Sequence, residues 1–292
     1  MGTVDLRTTL GAVGIQRDVV RVHGPDAMEF LQGQLSQDVA ALAVGDSAPS
    51  LLLQPTGKVD AWLRATRTGE DEVLLDVDAG HGEAVRSRLQ RFRLRTQVEL
   101  ELAQWSGLAL RGPGAFDLPV PEGAVAVPAR WPGVDGVDLL SGQELALAGV
   151  TLAEASDLEA LRVECGVPAM GAELTDATIP AEAGQWLIDA SVSFTKGCYT
   201  GQELVARIDS RGGNVPRPLR GLRVEADWVT PGAEVGAGDA VVGTVTSVAW
   251  SPVLGLVALA PISRATAPGS AVTVAAADGS TVPATVAELP LR

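Results

Sequence analysis

The sequence predicts an α+β protein whose first two thirds mix helices with strands and whose end is all β. Up to about residue 215, apolar strand-like runs alternate with segments of helical period. From about Leu219 onward, short Val-rich strands alternate with Gly, Pro and Asp-Gly turns, as in "VVGTVTSVAW", "LGLVALA" and "AVTVAAADGSTVPATVAEL". That second pattern reads as a small antiparallel barrel or sandwich.

The elements follow in order. "RDVVRVHGPDAMEFLQGQLSQDVAAL" predicts a strand at Val19 to Val22, a Gly24-Pro25 turn, and a helix opening near Asp26 with Ala27, Phe30 and Leu31 as its apolar stripe. "SLLLQPTGKVDAWLRATR" and "EVLLDVDAG" give apolar strands around a Pro-Thr-Gly turn and a second loop. "GEAVRSRLQRF" suits a helix, and "LRTQVELEL" alternates like a strand. Gly- and Pro-rich sequence from Gly112 to Gly136 marks variable loops or a boundary. "LAEASDLEALRVECGVP" is the clearest helix: Leu158, Leu161 and Cys165 share a face, Ser156 or Asp157 caps it, and Gly166 and Pro168 stop it.

Composition narrows the function. A chain of 292 residues can bury a large core without disulfides. Its two cysteines cannot make a disulfide framework or a complete metal or cluster site, and they suit a reducing cytoplasm. The stretch "MGTVDLRTTLGAV" has neither the basic start nor the apolar core of a signal peptide, and no apolar run reaches the ~20 residues of a membrane span. A net charge of -14 argues against gripping a phosphate backbone over a broad face. Having only His23 and His81 argues against catalysis built on several histidines. There is no Walker loop, G-x-G-x-x-G, nucleophile-elbow serine or H-E-x-x-H.

The stretch "KGCYTGQE" concentrates the chemistry. Thr200 to Glu203 fits a capping box opening a helix with Leu204, Val205 and Ile208 on its apolar side. Cys198 then precedes a helix N-terminus whose free amides favour an anion, and Lys196 adds a cation if the turn folds it inward. The alternative is a small apolar residue buried at a tight turn, and the residues alone leave both open. Cys165, on a helix's apolar face, reads as core.

Asp60, after the turn in "PTGKVDA", alternates to the face opposite Val59 and either binds an amine-rich heterocycle or faces solvent. Glu182 in "TIPAEAG" has the same two readings. Arg86, Arg88, Arg91, Arg93 and Arg95 form either a solvated face or a docking site for an acidic partner or polyanionic tail, as do Arg217, Arg220 and Arg223.

"KGCYTGQELVAR" resembles the signature of the YgfZ family, folate-binding proteins related to the glycine cleavage T-protein, an aminomethyltransferase. "VHGPDAMEFLQGQLSQDV", "PTGKVDA", "LRVECGVPAMGAEL" with "IPAEAG", and "VGTVTSVAWSPVLGLVALA" extend the resemblance over nearly the whole chain. It implies three domains in a ring around a central channel for tetrahydrofolate. The first, α+β and discontinuous, would take residues 1–48 and 108–215; an inserted second takes 49–107; a C-terminal antiparallel β-barrel takes 216–292.

The resemblance also assigns roles. Asp60 matches the place of an Asp-Asp pair in T-proteins, with Ala61 at its second position; Glu182 matches a pterin-binding glutamate; Arg217 would face the glutamyl tail. Cys198 and Lys196 depart from the T-protein pattern, which implies a kept folate pocket and a changed activity. The implied role is a tetrahydrofolate-binding auxiliary factor for assembly or repair of iron–sulfur enzymes, including tRNA-modifying ones, acting through Cys198 with Lys196 keeping the thiol ionised. A folate-dependent aminomethyltransferase or demethylase is the alternative, with Asp60 decisive for it and Ala61 against it. A scaffold docking through its arginine run is the third reading, and whether the chain is an enzyme stays open. The expected partners are folate and iron–sulfur client or assembly proteins, without direct nucleic-acid or membrane contact, for a cytoplasmic monomer.

Overall fold

The computed structural model describes residues 4–292, so the first three residues of the N-terminal stretch read above lie outside the described residues. Two sheets, antiparallel but for one short parallel strand in the first, and one wedge helix organise the chain. β1 (Gly11–His23) is followed by α1 (Ala27–Gln34), β2 (Ser47–Leu53), β3 (Val59–Gly69), β4 (Glu72–Asp78) and α2 (Gly82–Phe92). β5 (Glu99–Arg111), β6 (Val125–Pro128), β7 (Gly136–Ser141) and the short β8 (Thr151–Leu152) complete the first sheet, in the order β2-β3-β4-β1-β5-β7-β6, with β8 beside β1.

β1 and β5 pair along their whole length, from Gly11 opposite Arg111 to His23 opposite Glu99. The strand expected at Val19 to Val22 is therefore much longer; glycines and polar residues between Gly11 and Asp18 hide the alternation that marks a strand. One face of the sheet packs α1 and α2 through Val20, Val22, Leu31, Leu63, Val77 and Leu89, all buried.

The other face is polar and curled. Arg64 of β3 binds Asp76 of β4 and reaches Asp138 of β7 at 2.5 Å. Those outer strands are four spacings apart, about 19 Å in a flat sheet at ~4.8 Å each. No arginine spans that, so the bond requires strong curling, and the edge strands β2 and β6 do approach one another. Arg17 binds Asp76 and Asp78, and Arg111 binds Asp138 at 2.7 Å, so alternating charges cross the sheet.

α3 (Ala155–Cys165) lies between the two sheets. Ala160 and Val163 face the second sheet with Leu219 and Val257, whereas Leu161 and Cys165 pack with Leu6, Val13 and Trp62. Its N-cap is Glu154, not Ser156 or Asp157; the Asp157 carboxylate accepts the Glu154 amide at 3.0 Å, so Asp157 fills the N3 place of the box and not the cap. Gly166 ends the helix in the left-handed region, as the sequence predicts. Cys165 is fully buried, and burial pushes its thiol up to about 11.

After α4 (Gln185–Ser191) and α5 (Gln202–Asp209) come β9 (Leu219–Val224), β10 (Glu234–Ala237), β11 (Ala240–Thr244), β12 (Ser247–Ser251), β13 (Gly255–Pro261), β14 (Ala271–Ala275) and β15 (Thr281–Ala287). They form one antiparallel sheet, β11-β10-β14-β15-β9-β13-β12. A bridge between Gly243 and Ile262 curls it around Leu222, Val235, Val274 and Val286, which favours the barrel over the sandwich.

The buried ion pairs set a stability test. Burial alone would raise the Asp138 carboxyl, but the Arg111 and Arg64 guanidiniums outweigh it and hold it well below the usual carboxylate range. A folded value below the unfolded one contributes stability that is complete above pH ~4 and is lost as pH falls toward the folded value. Asp138→Asn should therefore make the acid limb of stability against pH shallower below pH ~4. Arg64→Met leaves Asp76 and Asp138 without their shared cation and should lower urea stability by about 3–5 kcal/mol. A loss under ~1 kcal/mol would mean that the bridge is dispensable.

Candidate functional site

The thiol turn is built by two glycines. Gly201 has φ +83, and a Cβ there would lie 2.5 Å from the Gln54 carbonyl; Gly57 has φ +81, and its Cβ would lie 2.4 Å from that of Leu204. Side chains at either place would separate the Pro-Thr-Gly turn from the start of α5. The two motifs "PTGK" and "KGCYTG" are thus pressed against each other. The Thr200 amide also donates to the Gly33 carbonyl at the end of α1.

The expected capping box is absent. Gly201, not Thr200, is the N-cap of α5, and the Gln202 side chain turns back to accept the Tyr199 amide at 3.2 Å. The Thr200 backbone is instead tied to α1, which moves the helix start one residue on. Cys198 lies in the preceding turn, exposed.

Lys196 is committed to the fold. Its ammonium donates to the carbonyls of Gln32, Leu35 and Gln37 at 2.7, 2.6 and 2.9 Å, and the Tyr199 ring lies 5.2 Å from it. Three donors meet three acceptors, leaving none for the neighbouring thiol. Burial pulls the amine down to about 8, against a weaker opposing pull from Asp38, so the ammonium persists at pH 7 and loses one donor as pH rises through that value. Burial likewise raises Tyr199 to about 12.

Asp60 faces an arginine, not a second carboxylate. Arg88 Nε donates to Asp60 at 2.9 Å, Nη2 donates to the Leu53 carbonyl at 3.0 Å, and the guanidinium stacks over Phe92 at 3.9 Å. Arg88 is buried, which corrects the reading of the whole arginine run as a solvated or docking face: the residue points inward from α2 to fix the end of β2. Ala61 is buried in the α1–α2 core. Glu182 and Arg217 do come together, lining an open cleft of about 500 Å³ with Glu173, Thr178, Leu219 and Pro261. One Glu182 oxygen already accepts the Ile179 amide at 3.0 Å. The structure thus separates Asp60 from the Glu182–Arg217 cleft.

The sequence reading missed a second polar cavity. It lies between the curled face and α3 and opens into about 720 Å³, lined by Arg17, Asp78, Arg111, Trp131, Asp138 and Arg162. Trp62 and Arg64 line an adjoining lobe of about 480 Å³ that shares those residues. Arg162 reaches Glu173, so one ion pair separates this cavity from the Glu182–Arg217 cleft. Trp131 sits in the Gly- and Pro-rich segment where no periodicity exists to find it. A signal was present at Asp138, a charge inside an otherwise apolar strand, and at Arg111, which closes the apolar run Leu108 to Leu110.

Fold and site together define a T-protein-like α+β protein carrying a cysteine turn, and known proteins agree. Residues 16–119 match the GCVT N-terminal domain, and residues 217–291 match the glycine cleavage T-protein C-terminal barrel domain. An aminomethyltransferase of Thermus thermophilus is 31% identical over 265 residues, covering 80% of this chain and 73% of that protein. A "tRNA-modifying protein YgfZ" of Edwardsiella ictaluri is 26% identical over 242 residues, 74% of this chain and 71% of its own. An "Iron-sulfur cluster assembly factor IBA57 homolog, mitochondrial" of Neurospora crassa is 26% identical over 230 residues, covering 71% of this chain and 52% of that one. The glycine cleavage aminomethyltransferase T of Bartonella henselae shares the fold, with TM-score 0.79 over 98% of this chain and 87% of that one, at 22% identity. The chain belongs to the glycine cleavage T-protein family, and a YgfZ protein is among its relatives.

Thiol counting checks the turn: one cysteine should react with a small disulfide reagent in the native protein and the second only on unfolding. Lys196→Met strands three carbonyls and should cost about 2 kcal/mol. Lys196→Arg should not restore it, because a planar guanidinium cannot meet three converging acceptors. Thermal and urea unfolding of both variants decide this; full stability of Lys196→Met would remove the clasp from the account.

Proposed function

We propose that this chain is a tetrahydrofolate-binding auxiliary factor for assembly or repair of iron–sulfur enzymes, tRNA-modifying ones among them, acting through Cys198. The observation that carries the reading is an exposed thiol on a turn that Lys196, Tyr199 and the Gly57–Gly201 contact hold in one shape. Exposed cysteines are otherwise poor candidates for such elaborate support. In this reading Lys196 is a positioning residue, and Asp60, Glu182 and Arg217 are folate contacts, the last two sharing one cleft. The division into residues 1–48 with 108–215, 49–107 and 216–292 belongs to the same proposal. One thiol cannot hold a cluster alone, since iron–sulfur clusters are held by several thiolates, so Cys198 acts transiently on a cluster or client that another protein brings.

A one-carbon transferase is the second reading, favoured by the higher identity to aminomethyltransferases. Two features oppose it. The Asp60 carboxylate is held by Arg88, and its neighbour Ala61 supplies no second acid. A catalytic carboxylate has to reach the substrate's protons or charge, and a guanidinium already occupies this one.

Complementation separates the readings. Cys198→Ala, with folding and tetrahydrofolate affinity intact, should fail to restore iron–sulfur enzyme activity in a strain lacking this protein. Asp60→Asn should leave that restoration largely in place. Full rescue by Cys198→Ala, together with aminomethyl transfer to tetrahydrofolate in vitro, would decide for the transferase.

A further inference from the structure

The polar face of the first sheet runs on past Arg17 to the far end of β1, where a second group of charges gathers. Val22, Val98 and Leu100 turn toward α1 and α2, so alternation sends His23, Glu99 and Glu101 to the opposite face. His23 lies directly across from Glu99 on β5 and from Glu72 on β4, and Arg21 lies across from Glu101. Three strands thus set one imidazole among three carboxylates. His23 Nε2 is shut off from water and, among the described residues, has no hydrogen-bond partner. A polar atom left in that state costs roughly 1–3 kcal/mol, and each one asks for an explanation.

The distances specify what would satisfy it. Nε2 lies 3.4 Å from Glu101 and 3.8 Å from Glu99, too far for an N–H donor to bond either oxygen well. The three ligand atoms nevertheless all lie within 4.8 Å of one another. Ligands on one tetrahedral ion, with bonds of about 2.0–2.1 Å, sit roughly 3.4 Å apart. Glu99 is 72% exposed, so rotation of its side chain closes the longer gap. The neighbours prepare the set. Arg21 holds one oxygen of Glu101 at 3.0 Å, which leaves the other toward His23. Glu72 is already committed, accepting from Thr68 and Arg21. Three carboxylates against the one Arg21 guanidinium leave a local negative excess that matches a dication.

One imidazole nitrogen with two carboxylates suits a zinc-class transition ion and not magnesium, which keeps an oxygen shell. We propose that His23, Glu99 and Glu101 bind one such divalent ion, which joins β1 to β5 just before the Gly24 turn and leaves its remaining position to water. Arg21 and Glu72 are positioning residues there: the first aims Glu101, and the second holds the first. The site stands apart from the folate reading, because it shares no residue with the cleft, the cavity or the thiol turn.

The test is calorimetric titration of the full chain with Zn²⁺, in a Cys198→Ser background so that the exposed thiol does not compete. One ion per chain should bind, and the thermal midpoint should rise with Zn²⁺ concentration. His23→Gln and Glu99→Gln should each weaken binding about tenfold or more and abolish the rise in midpoint. If His23→Gln disturbs the strand, Glu99→Gln decides, since that side chain is mostly in solvent. Co²⁺ in place of Zn²⁺ should give a visible absorption band that His23→Gln removes. Unchanged Zn²⁺ affinity in Glu99→Gln, or no Zn²⁺ binding by the parent chain, overturns the site. So does Mg²⁺ displacing Zn²⁺ at equal concentration, because the carboxylates would then act as an acidic surface without the imidazole.

Discussion

The bond from Arg64 to Asp138 decides the shape of the molecule. It joins strands that a flat sheet would hold far apart, and it does so inside protein, where an unpaired charge is costly. The sheet must curl for the two carboxylates and three arginines to meet. Once curled, its polar face becomes a concavity rather than a surface. α3 then closes one side of that concavity while its opposite face packs on the second sheet. A cavity rich in charge and tryptophan is thus a consequence of folding, not an addition to it.

The thiol turn depends on a different economy of contact. Its shape comes from backbone approaching backbone at Gly57 and Gly201 and from an ammonium held by carbonyls of α1 and the segment after it. Neither device involves Cys198 itself. That separation matters, because the cysteine can change chemical state without disturbing the supports of its own turn. It also links two regions: Arg88 holds Asp60 and the Leu53 carbonyl, and Leu53 packs against Gly201. The carboxylate on β3 and the thiol turn are mounted on the same end of β2.

What the sequence revealed follows the range of the interactions. α2, the end of α3, the buried Cys165 and the curled antiparallel C-terminal sheet rest on local period and turn chemistry, and all are visible in short windows. The capping box failed at Thr200 because a long-range bond to Gly33 took its backbone, which no local rule contains. Arg88 looked like surface because a helical run of arginines gives no sign which member turns inward. The cavity was least legible. Its arginines, aspartates and Trp131 come from separate strands and an irregular loop, and only the curl of the sheet brings them together.

That same curl bears on how the family's chemistry can diverge. A carboxylate able to act on a substrate must be free to exchange partners, and Asp60 is tied to an arginine anchored on a carbonyl and an aromatic ring. Releasing it would leave Arg88, a buried cation, without its counter-charge. The aspartates of the cavity are restrained in the same way, each carrying at least one guanidinium. Asp78 and Asp138 can present lone pairs to a ligand but are poorly placed to take up protons, because their guanidinium partners favour the ionised form. In the function proposed above, the polar interior binds and orients rather than moves protons. In that same proposed reading, any change of covalent or redox state falls to the group left outside that network, the exposed sulfur of Cys198.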